Sequence, residues 1–411
     1  MQIVPTSLVR ISRYYMVTAI GYLILTLLIG ILRALSSVPD PRVHWEPALL
    51  GWISFPIMGA HYQFFPTLQG QDLKWERATL PQFALVNLGL LGMLATAWVG
   101  NQSGHALATV IYGLGVLLFA LVILVNIQWS KLSLTLAYYT TSLTYFVFAI
   151  VLFAAQTLGA SLPWVTRPFM FHAIALGWVI VAIVGAQFSL VPMLQLKELR
   201  HPGLAKFQYV LLNLGIIGMI YSFSIINFQL VAAWGTLVLL ALLLYTYIIA
   251  VSLFTGPSRL KKLDISVKYF LIGIAYLLAA AVTGILMAAF GWFQLLPIHI
   301  HLALIGLVTN TIVGAMYHIV PFVVWWEVYA PRMGLHDVPL LKQLFNERMA
   351  QVQLYVLNGA LLVMLVGFAL NNRVLLAVGG AILFLAVLSY LWEMLRAVGH
   401  RQKLREWSKQ A

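Results

Sequence analysis

GLVTNTIVGAMYHIVP, residues 306–321, indicates how the chain is organised, because related stretches occur twice earlier in the chain. They read GWISFPIMGAHYQFFP at residues 51–66 and GWVIVAIVGAQFSLVP at residues 177–192. In each, Gly-Ala begins eight residues after the first glycine, and proline follows that glycine by fifteen. Small residues alone let membrane helices pack closely, but they do not require two constant spacings and a terminal proline. The pattern predicts a threefold internal repeat.

Apolar segments of membrane-spanning length surround these stretches. The 411 residues are 62% hydrophobic and 9% charged, which is too apolar for a soluble surface. A span needs roughly 20 apolar residues, and about twelve segments qualify. We expect spans at residues 13–35, 46–66, 80–100, 104–128, 132–155, 168–194, 205–226, 230–253, 268–291, 298–322, 352–370 and 373–398.

The repeat period gives four spans per unit. The first glycines are 126 and then 129 residues apart, and NLGLLGM from Asn87 recurs as NLGIIGM from Asn213. Asn358-Gly359 takes the same place in the third unit. We therefore predict an all-α polytopic membrane protein with three pseudo-symmetric four-helix arcs. The units run approximately over residues 1–131, 132–260 and 261–411 of a single membrane domain.

The net charge of +13 is explained by topology, because the basic residues fall mostly on one side of the predicted bundle. By the positive-inside rule that side is cytoplasmic. We expect a multi-pass protein of the cell inner (plasma) membrane with both termini inside and no nucleic acid partner. The outer side has four basic residues, Arg33, Arg42, Arg167 and Arg373. The inner side has Arg10, Arg13, Lys74, Arg77, Lys131, Lys197, Arg200, Lys206, Arg259, Lys261, Lys262, Lys268, Arg332, Lys342, Arg348 and the tail from Arg396 to Lys409.

Histidine is the residue on which any metal site must depend. The chain has no cysteine, which excludes thiolate sites and a C-x-x-C-H attachment for covalent haem. His299-Ile300-His301 opens the tenth span. Two helical residues two apart point about 200° apart, so these imidazoles fit two metals better than one. One helix could thus hold two haems, each iron taking one imidazole. The alternative is a pair of interfacial histidines facing water.

The repeat favours a metal site at this depth. His172 lies five residues before Gly177, as His301 lies before Gly306, whereas the first unit has Glu46 at that place. His44 is the first-unit equivalent of His299. Four histidines therefore collect near the outer ends of related spans, where ionisable residues usually mark function. The other histidines favour ordinary roles: His201, His336 and His400 as solvated residues, His61 and His318 as structural residues at the inner ends, and His105 as ambiguous.

The stretch HIHLALIGLVTNTIVGAMYHIVP, residues 299–321, resembles the tenth helix of haem-copper oxidase subunit I, especially its cbb-type branch. HAIALGWVIVAIVGAQFSLVP, residues 172–192, resembles the sixth helix of that branch. The family has twelve helices in three pseudo-symmetric arcs, so the resemblance covers most of the chain. Its motif-level evidence is confined to spans two, six and ten.

The resemblance implies roles for these residues. His301 and His44 are expected to be the axial ligands of a low-spin haem b, and His299 the catalytic, proximal ligand of a high-spin haem that binds a gas. His172 matches a copper ligand, but span seven lacks the two further histidines that the family supplies there. Copper binding therefore stays open. His105 is a candidate to replace a missing copper ligand, although nothing in the sequence positions it there. Haem propionates need cations, for which Arg42, Arg167 and Arg373 are candidates.

Three functions remain open at this point. The first is a subunit similar to cytochrome c oxidase subunit I, a respiratory oxidoreductase that binds or reduces O₂ or NO. It would need an electron donor such as cytochrome c, a cupredoxin-like subunit or quinol, together with further small membrane subunits. The second is a protein similar to the NnrS family of nitric oxide stress proteins, with haem but no oxidase turnover. The third is a transporter or scaffold without haem.

Overall fold

The structure is a computed structural model that describes residues 6–36, 38, 40–257, 260, 262–334 and 337–401, with backbone only for residues 6–10. Among the residues used in the sequence argument, Arg259, Lys261, His336 and the basic residues after Arg401 lie outside this described part, and so does the side chain of Arg10.

Long helices make up the described part of the chain, and it contains no β-strand. Three of them, α2, α6 and α10, consist of joined parts. The helices are α1 Thr6–Leu35; α2 Arg42–Glu46, Pro47–Ile53 and Ser54–Gln69; α3 Thr79–Trp98; α4 Gln102–Leu124; α5 Leu134–Thr157; α6 Arg167–His172, Ala173–Ile180 and Val181–Leu194; α7 Pro202–Ser224; α8 Phe228–Phe254; α9 Ile265–Phe290; α10 Leu296–His301, Leu302–Thr309 and Asn310–Val328; α11 Glu347–Ala369; and α12 Arg373–Gly399.

Each predicted span falls on one of these helices. Eleven of the described helices, all except α2, are long and apolar enough to cross a membrane. The prediction of an all-α polytopic membrane protein is therefore confirmed. α2 also runs without a break, from Arg42 to Gln69.

The helices close into a ring. Each packs against the next from α1 to α12, and α12 packs against α1. α2, α6 and α10 meet at the centre through side-chain hydrogen bonds. Trp52 Nε1 donates to Thr309 Oγ1 at 3.0 Å, and Trp178 Nε1 donates to Ser54 Oγ at 3.1 Å. These bonds join α2 to α10 and α6 to α2, so the three repeated stretches form the core of the bundle.

Tyrosines of α1, α5 and α9 occupy the space left by the repeat glycines. A Cβ atom on the first glycine of any of the three stretches would lie 2.4–2.6 Å from Cγ of a tyrosine. Glycine is therefore required there, because the neighbouring helix approaches too closely for any side chain. The same holds at the second glycine of each stretch. The pairs are Gly51 with Tyr22, Gly177 with Tyr145, Gly306 with Tyr276, Gly59 with Tyr15, Gly185 with Tyr138, and Gly314 with Tyr269.

In each unit, a glutamine five residues before the repeated asparagine accepts a hydrogen bond from a tyrosine. Gln82 accepts from Tyr15 in the first unit, Gln208 accepts from Tyr138 in the second, and Gln353 accepts from Tyr317 in the third. All three glutamines are buried, so these bonds satisfy polar groups away from water. The three units share this construction except for the choice of tyrosine in the third.

Candidate functional site

The candidate site lies where α2, α6 and α10 begin, which we call the histidine end of the bundle. Each of these helices opens with a short α-helical segment and continues as π-helix, over Pro47–Ile53, Ala173–Ile180 and Leu302–Thr309. Such π segments are rare and frequent at functional sites. They start directly after Glu46, His172 and His301, which therefore have equivalent positions.

The rings of His172 and His301 are anchored in the same way. Nδ1 of His172 lies 2.7 Å from the carbonyl oxygen of Pro168, and Nδ1 of His301 lies 2.7 Å from that of Pro297. A carbonyl oxygen only accepts, so Nδ1 carries the proton and donates. Nε2 keeps its lone pair, which is the state of an imidazole that binds a metal. A proline four residues before the histidine is thus the local sequence feature that sets each ring.

His299 and His44 are held by the preceding helices. Nδ1 of His299 lies 2.9 Å from the carbonyl oxygen of Ala280, which leaves Nε2 free in this ring too. A Cβ atom at Gly284 would lie 3.0 Å from Cε1 of His299, and one at Gly30 would lie 3.0 Å from Cε1 of His44. Nδ1 of His44 is shielded from solvent and has no hydrogen-bond partner among the described residues. Both rings need a glycine beneath them.

The four histidines form two pairs across neighbouring units. The ring centroids of His172 and His299 are 6.2 Å apart, with 26° between the ring planes. His44 and His301 are close enough for their charges to interact. In the repeat, His172 corresponds to His301 and His299 to His44, so the two pairs have equivalent positions. His299 and His301, which are separated only by Ile300, belong to different pairs.

A phenylalanine packs against one member of each pair. The Phe223 ring lies 4.6 Å from that of His172, and the Phe368 ring lies 4.4 Å from that of His301. Each phenylalanine lies ten residues after the repeated asparagine of its unit, and the first unit has Ala97 at this place. A cavity of about 130 Å³ adjoins Phe223 and Pro168 at the start of α6. The two pairs therefore share a set of four residues: two histidines, a glycine and a phenylalanine.

The third interface, between α2 and α6, carries different residues. Glu46 replaces the histidine that follows the anchoring turn, and Met170 stands where His44 and His299 stand in the other units. Nε2 of His105 lies 2.9 Å from Oε1 of Glu46, and both side chains are buried. His105 is therefore held by Glu46, a partner that the sequence argument did not foresee. Oε2 of Glu46 and Nδ1 of His105 have no hydrogen-bond partner within the described structure.

Aromatic side chains fill the third interface. Phe153 follows Tyr145 by eight residues, as Gly30 follows Tyr22 and Gly284 follows Tyr276. Its ring centroid lies 6.1 Å from that of Trp45 and 6.5 Å from that of His105. A phenylalanine thus occupies the position that is left open by glycine beneath the two histidine pairs.

The arginines at the histidine end differ in their partners. Arg42 donates from Nε and Nη2 to Oδ2 of Asp40, at 2.8 and 2.6 Å. These bonds hold the pKa of Asp40 below its usual value. Arg167 and Arg373 are exposed at the first turns of α6 and α12, without a hydrogen bond or ion pair to another described residue. Arg33 was not a sequence candidate, yet it is close enough to interact electrostatically with both His44 and His301.

The remaining histidines lie away from the two pairs. His61 is buried, with Nδ1 2.7 Å from the carbonyl oxygen of Ile57, and it lines a small apolar cavity between α2, α6 and α10. The His318 ring packs on Phe322. His400 was expected to be solvated, but its Nδ1 lies 2.7 Å from the hydroxyl oxygen of Tyr329.

No bare metal site is visible within the described ranges, since no three His, Cys, Asp or Glu side chains come close enough together to hold an ion. Each histidine pair offers two ligands. A structural zinc site needs four protein ligands, whereas an iron held by the four nitrogens of a porphyrin needs only one or two. The ligand count of the pairs therefore fits haem better than a bare metal ion.

Comparison with known proteins gives little further information. No family model matches the chain. The chain is similar to an uncharacterized protein of Aquifex aeolicus (strain VF5), with 26% identity over 310 residues. The match covers 74% of this chain and 77% of the relative.

Proposed function

We propose that this chain is a membrane-embedded haem-b protein of electron transfer, in which His44 and His301 hold one haem. When bound, a haem with two imidazole ligands supplies one-electron chemistry, Fe(III) plus one electron giving Fe(II), without an open coordination position. The observation that carries the proposal is the common construction of the two histidine pairs and its absence at the third interface. Ordinary packing of histidines gives no reason for such a match.

The residues around this pair suit the group. His301 has a free Nε2 and a ring fixed by the carbonyl of Pro297. His44 hydrogen-bonds the backbone of Thr26, while its Nδ1 is shielded from solvent and has no hydrogen-bond partner among the described residues. A buried polar atom without a partner is costly unless a ligand satisfies it. Phe368 contributes an apolar face beside His301. The side chains thus orient two lone pairs and exclude water.

Propionates of the haem would meet cations at the histidine end. Arg33 lies within electrostatic range of both histidines, so it is the arginine with the strongest structural support. Arg167 and Arg373 remain candidates, and Arg42 would have to share its guanidinium with Asp40. A fixed positive charge beside the haem favours the reduced iron, because reduction adds a negative charge to the site.

The proposal extends to topology and partners. The positive-inside rule puts both termini in the cytoplasm of a cell with an inner (plasma) membrane, so the histidine end faces outward. An electron donor on that side would be a cytochrome c, a cupredoxin-like subunit or a membrane quinol, with further small membrane subunits in the complex. The similarity of spans two, six and ten to haem-copper oxidase subunit I supports the electron-transfer assignment.

Haem content of purified variants tests this proposal. The full chain is purified in detergent, and a reduced-minus-oxidised spectrum and a pyridine haemochrome assay are recorded. We expect b-type haem in the wild type and less haem per chain in His301→Ala. His318→Ala is the matched control, because His318 lies on the same helix far from the pairs, and it should keep the wild-type content. A folded but colourless wild-type protein would favour a transporter or scaffold and overturn the proposal.

A further inference from the structure

We infer that His172 and His299 are the two axial ligands of a second haem, whose iron is six-coordinate like the first. The inference rests on the proposed function, since it assumes that the chain binds haem. It differs from the sequence expectation, in which His299 ligates a haem with one open face and His172 is a copper ligand.

The separation of the two rings fits ligation of one iron. A ring nitrogen lies about 2 Å from a bound first-row metal ion and about 1.1 Å from its own ring centroid, so two imidazoles on opposite faces of an iron have centroids about 6 Å apart. The His172 and His299 centroids are 6.2 Å apart. The distance therefore agrees with the one that two axial ligands require.

The protonation of both rings is suitable. Nδ1 of His172 donates to Pro168 O, and Nδ1 of His299 donates to Ala280 O. Hydrogen bonds of this kind fix the orientation of a metal-binding imidazole and raise its basicity. Each ring thus offers Nε2 and nothing else. An open-faced haem would need this anchoring on one side only.

The repeat supplies an independent argument. Each residue of the first pair has its repeat equivalent in the second pair: His172 is the equivalent of His301, and His299 is the equivalent of His44. Phe223 is likewise the equivalent of Phe368. Gly284 is the equivalent of Gly30. If the first pair binds an iron from both faces, the second pair has the same parts in the same order.

The consequence concerns gas binding. With both axial positions occupied by protein, neither iron offers a site for O₂, NO or CO. When bound, the two haems would supply only one-electron chemistry between Fe(III) and Fe(II), with each electron coming from the cytochrome, cupredoxin-like or quinol donor and leaving to an acceptor of the same classes. The chain is thereby an electron relay, and reduction of a gas would take place elsewhere.

Carbon monoxide and electron paramagnetic resonance test the ligand set in the purified full chain. We expect the dithionite-reduced wild type to show two haems and no change on adding CO, and the oxidised protein to show low-spin ferric signals only. In His172→Ala, one haem is expected either to be lost or to become high-spin and bind CO. Either result supports the inference, because both follow from losing an axial ligand.

A second variant distinguishes the loss of an axial ligand from misfolding of the chain. His172→Met keeps a sixth ligand, and a His/Met pair has a higher reduction potential than two histidines. We expect one midpoint potential to rise while the other stays unchanged. His318→Ala should match the wild type in every readout.

The outcomes separate this inference from the proposed function. A wild-type protein with haem that binds CO overturns the inference and leaves haem binding intact. The same is true if His172→Ala has the haem content, spin state and CO response of the wild type. A colourless wild-type protein overturns both.

Discussion

Gly284 allows a sharp test of how the second histidine pair is built, because its missing side chain makes room for His299. A Cβ atom at this position would lie 3.0 Å from Cε1 and 3.3 Å from Nδ1 of His299. Carbon contacts are normally about 3.5–4.0 Å, so the ring must move by several tenths of an ångström. Its Nδ1 is already fixed 2.9 Å from Ala280 O, which leaves little freedom.

The cost of this contact gives the expected size of the effect. Gly284→Ala adds one methyl group, and overpacking of this size costs about 1–3 kcal/mol. If His299 relieves the contact by leaving its ligating position, haem affinity at this pair falls about 5- to 150-fold. Gly284→Phe, which copies Phe153 of the third interface, should abolish binding of one haem.

The assay is haem per chain, with a redox titration to identify the haem that changes. Gly21→Ala is the matched control, since Gly21 also lies in a long apolar helix and a Cβ atom there meets nothing within 4 Å. It should retain both haems. The reasoning is refuted if Gly284→Phe keeps two haems with unchanged midpoint potentials.

Three further predictions concern charge and packing. Arg33→Gln should lower the midpoint potential of one haem by on the order of 40 mV, which corresponds to about 1 kcal/mol of lost attraction. Arg42→Gln should lower that potential less, because Asp40 offsets the charge of Arg42. Equal shifts of the two variants in redox titrations would contradict this prediction. Asp40 has a lowered pKa, so its pairing stabilises the fold above about pH 4 and is lost as the pH falls through that pKa. Asp40→Asn should therefore reduce the drop in melting temperature between neutral and acidic pH, and an unchanged drop would count against it. Gly314→Ala places a Cβ atom 2.6 Å from Cβ of Tyr269 and should destabilise the bundle by about 1–3 kcal/mol in thermal unfolding. Gly359→Ala should leave the stability unchanged, because a Cβ atom there meets nothing within 4 Å. Equal stability of the two variants would show that the close approach of Tyr269 to Gly314 is unimportant.

The helices could be predicted from the sequence because membrane spans leave a strong signal in composition alone. The predicted span 168–194 and the observed helix from Arg167 to Leu194 differ by one residue. Larger differences occur at α1, which begins at Thr6 instead of near residue 13, and at α10, which continues to Val328 instead of ending near residue 322. Pro321 lies inside this helix, because in a membrane helix neighbouring groups can satisfy the freed carbonyl.

The repeat could be detected, but the partners of its glycines could not. Spacing shows that Gly177 and Gly306 are equivalent, yet it does not say which side chain fills the space above them. That depends on the angle at which two helices cross. The structure identifies the tyrosines of α1, α5 and α9, which recur seven residues apart in each unit, as in Tyr138 and Tyr145. The sequence contained this signal, although only the packing gives it meaning.

The histidine pairs were predictable in part. The sequence indicated that His299 and His301 point to different partners, and the structure gives them different neighbours, His172 and His44. It did not indicate that His105 would contact Glu46, since these residues belong to separate spans whose contact depends on the ring arrangement. Electrostatic proximity of Arg33 to the first pair was missed for the same reason.

A density map of the protein purified from membranes, obtained by electron cryomicroscopy, would show directly whether the two histidine pairs hold haem. We expect a flat, porphyrin-sized density between His44 and His301, a second between His172 and His299, and none between Glu46 and Met170. Direct side-chain packing with no added density at the two histidine pairs would contradict it.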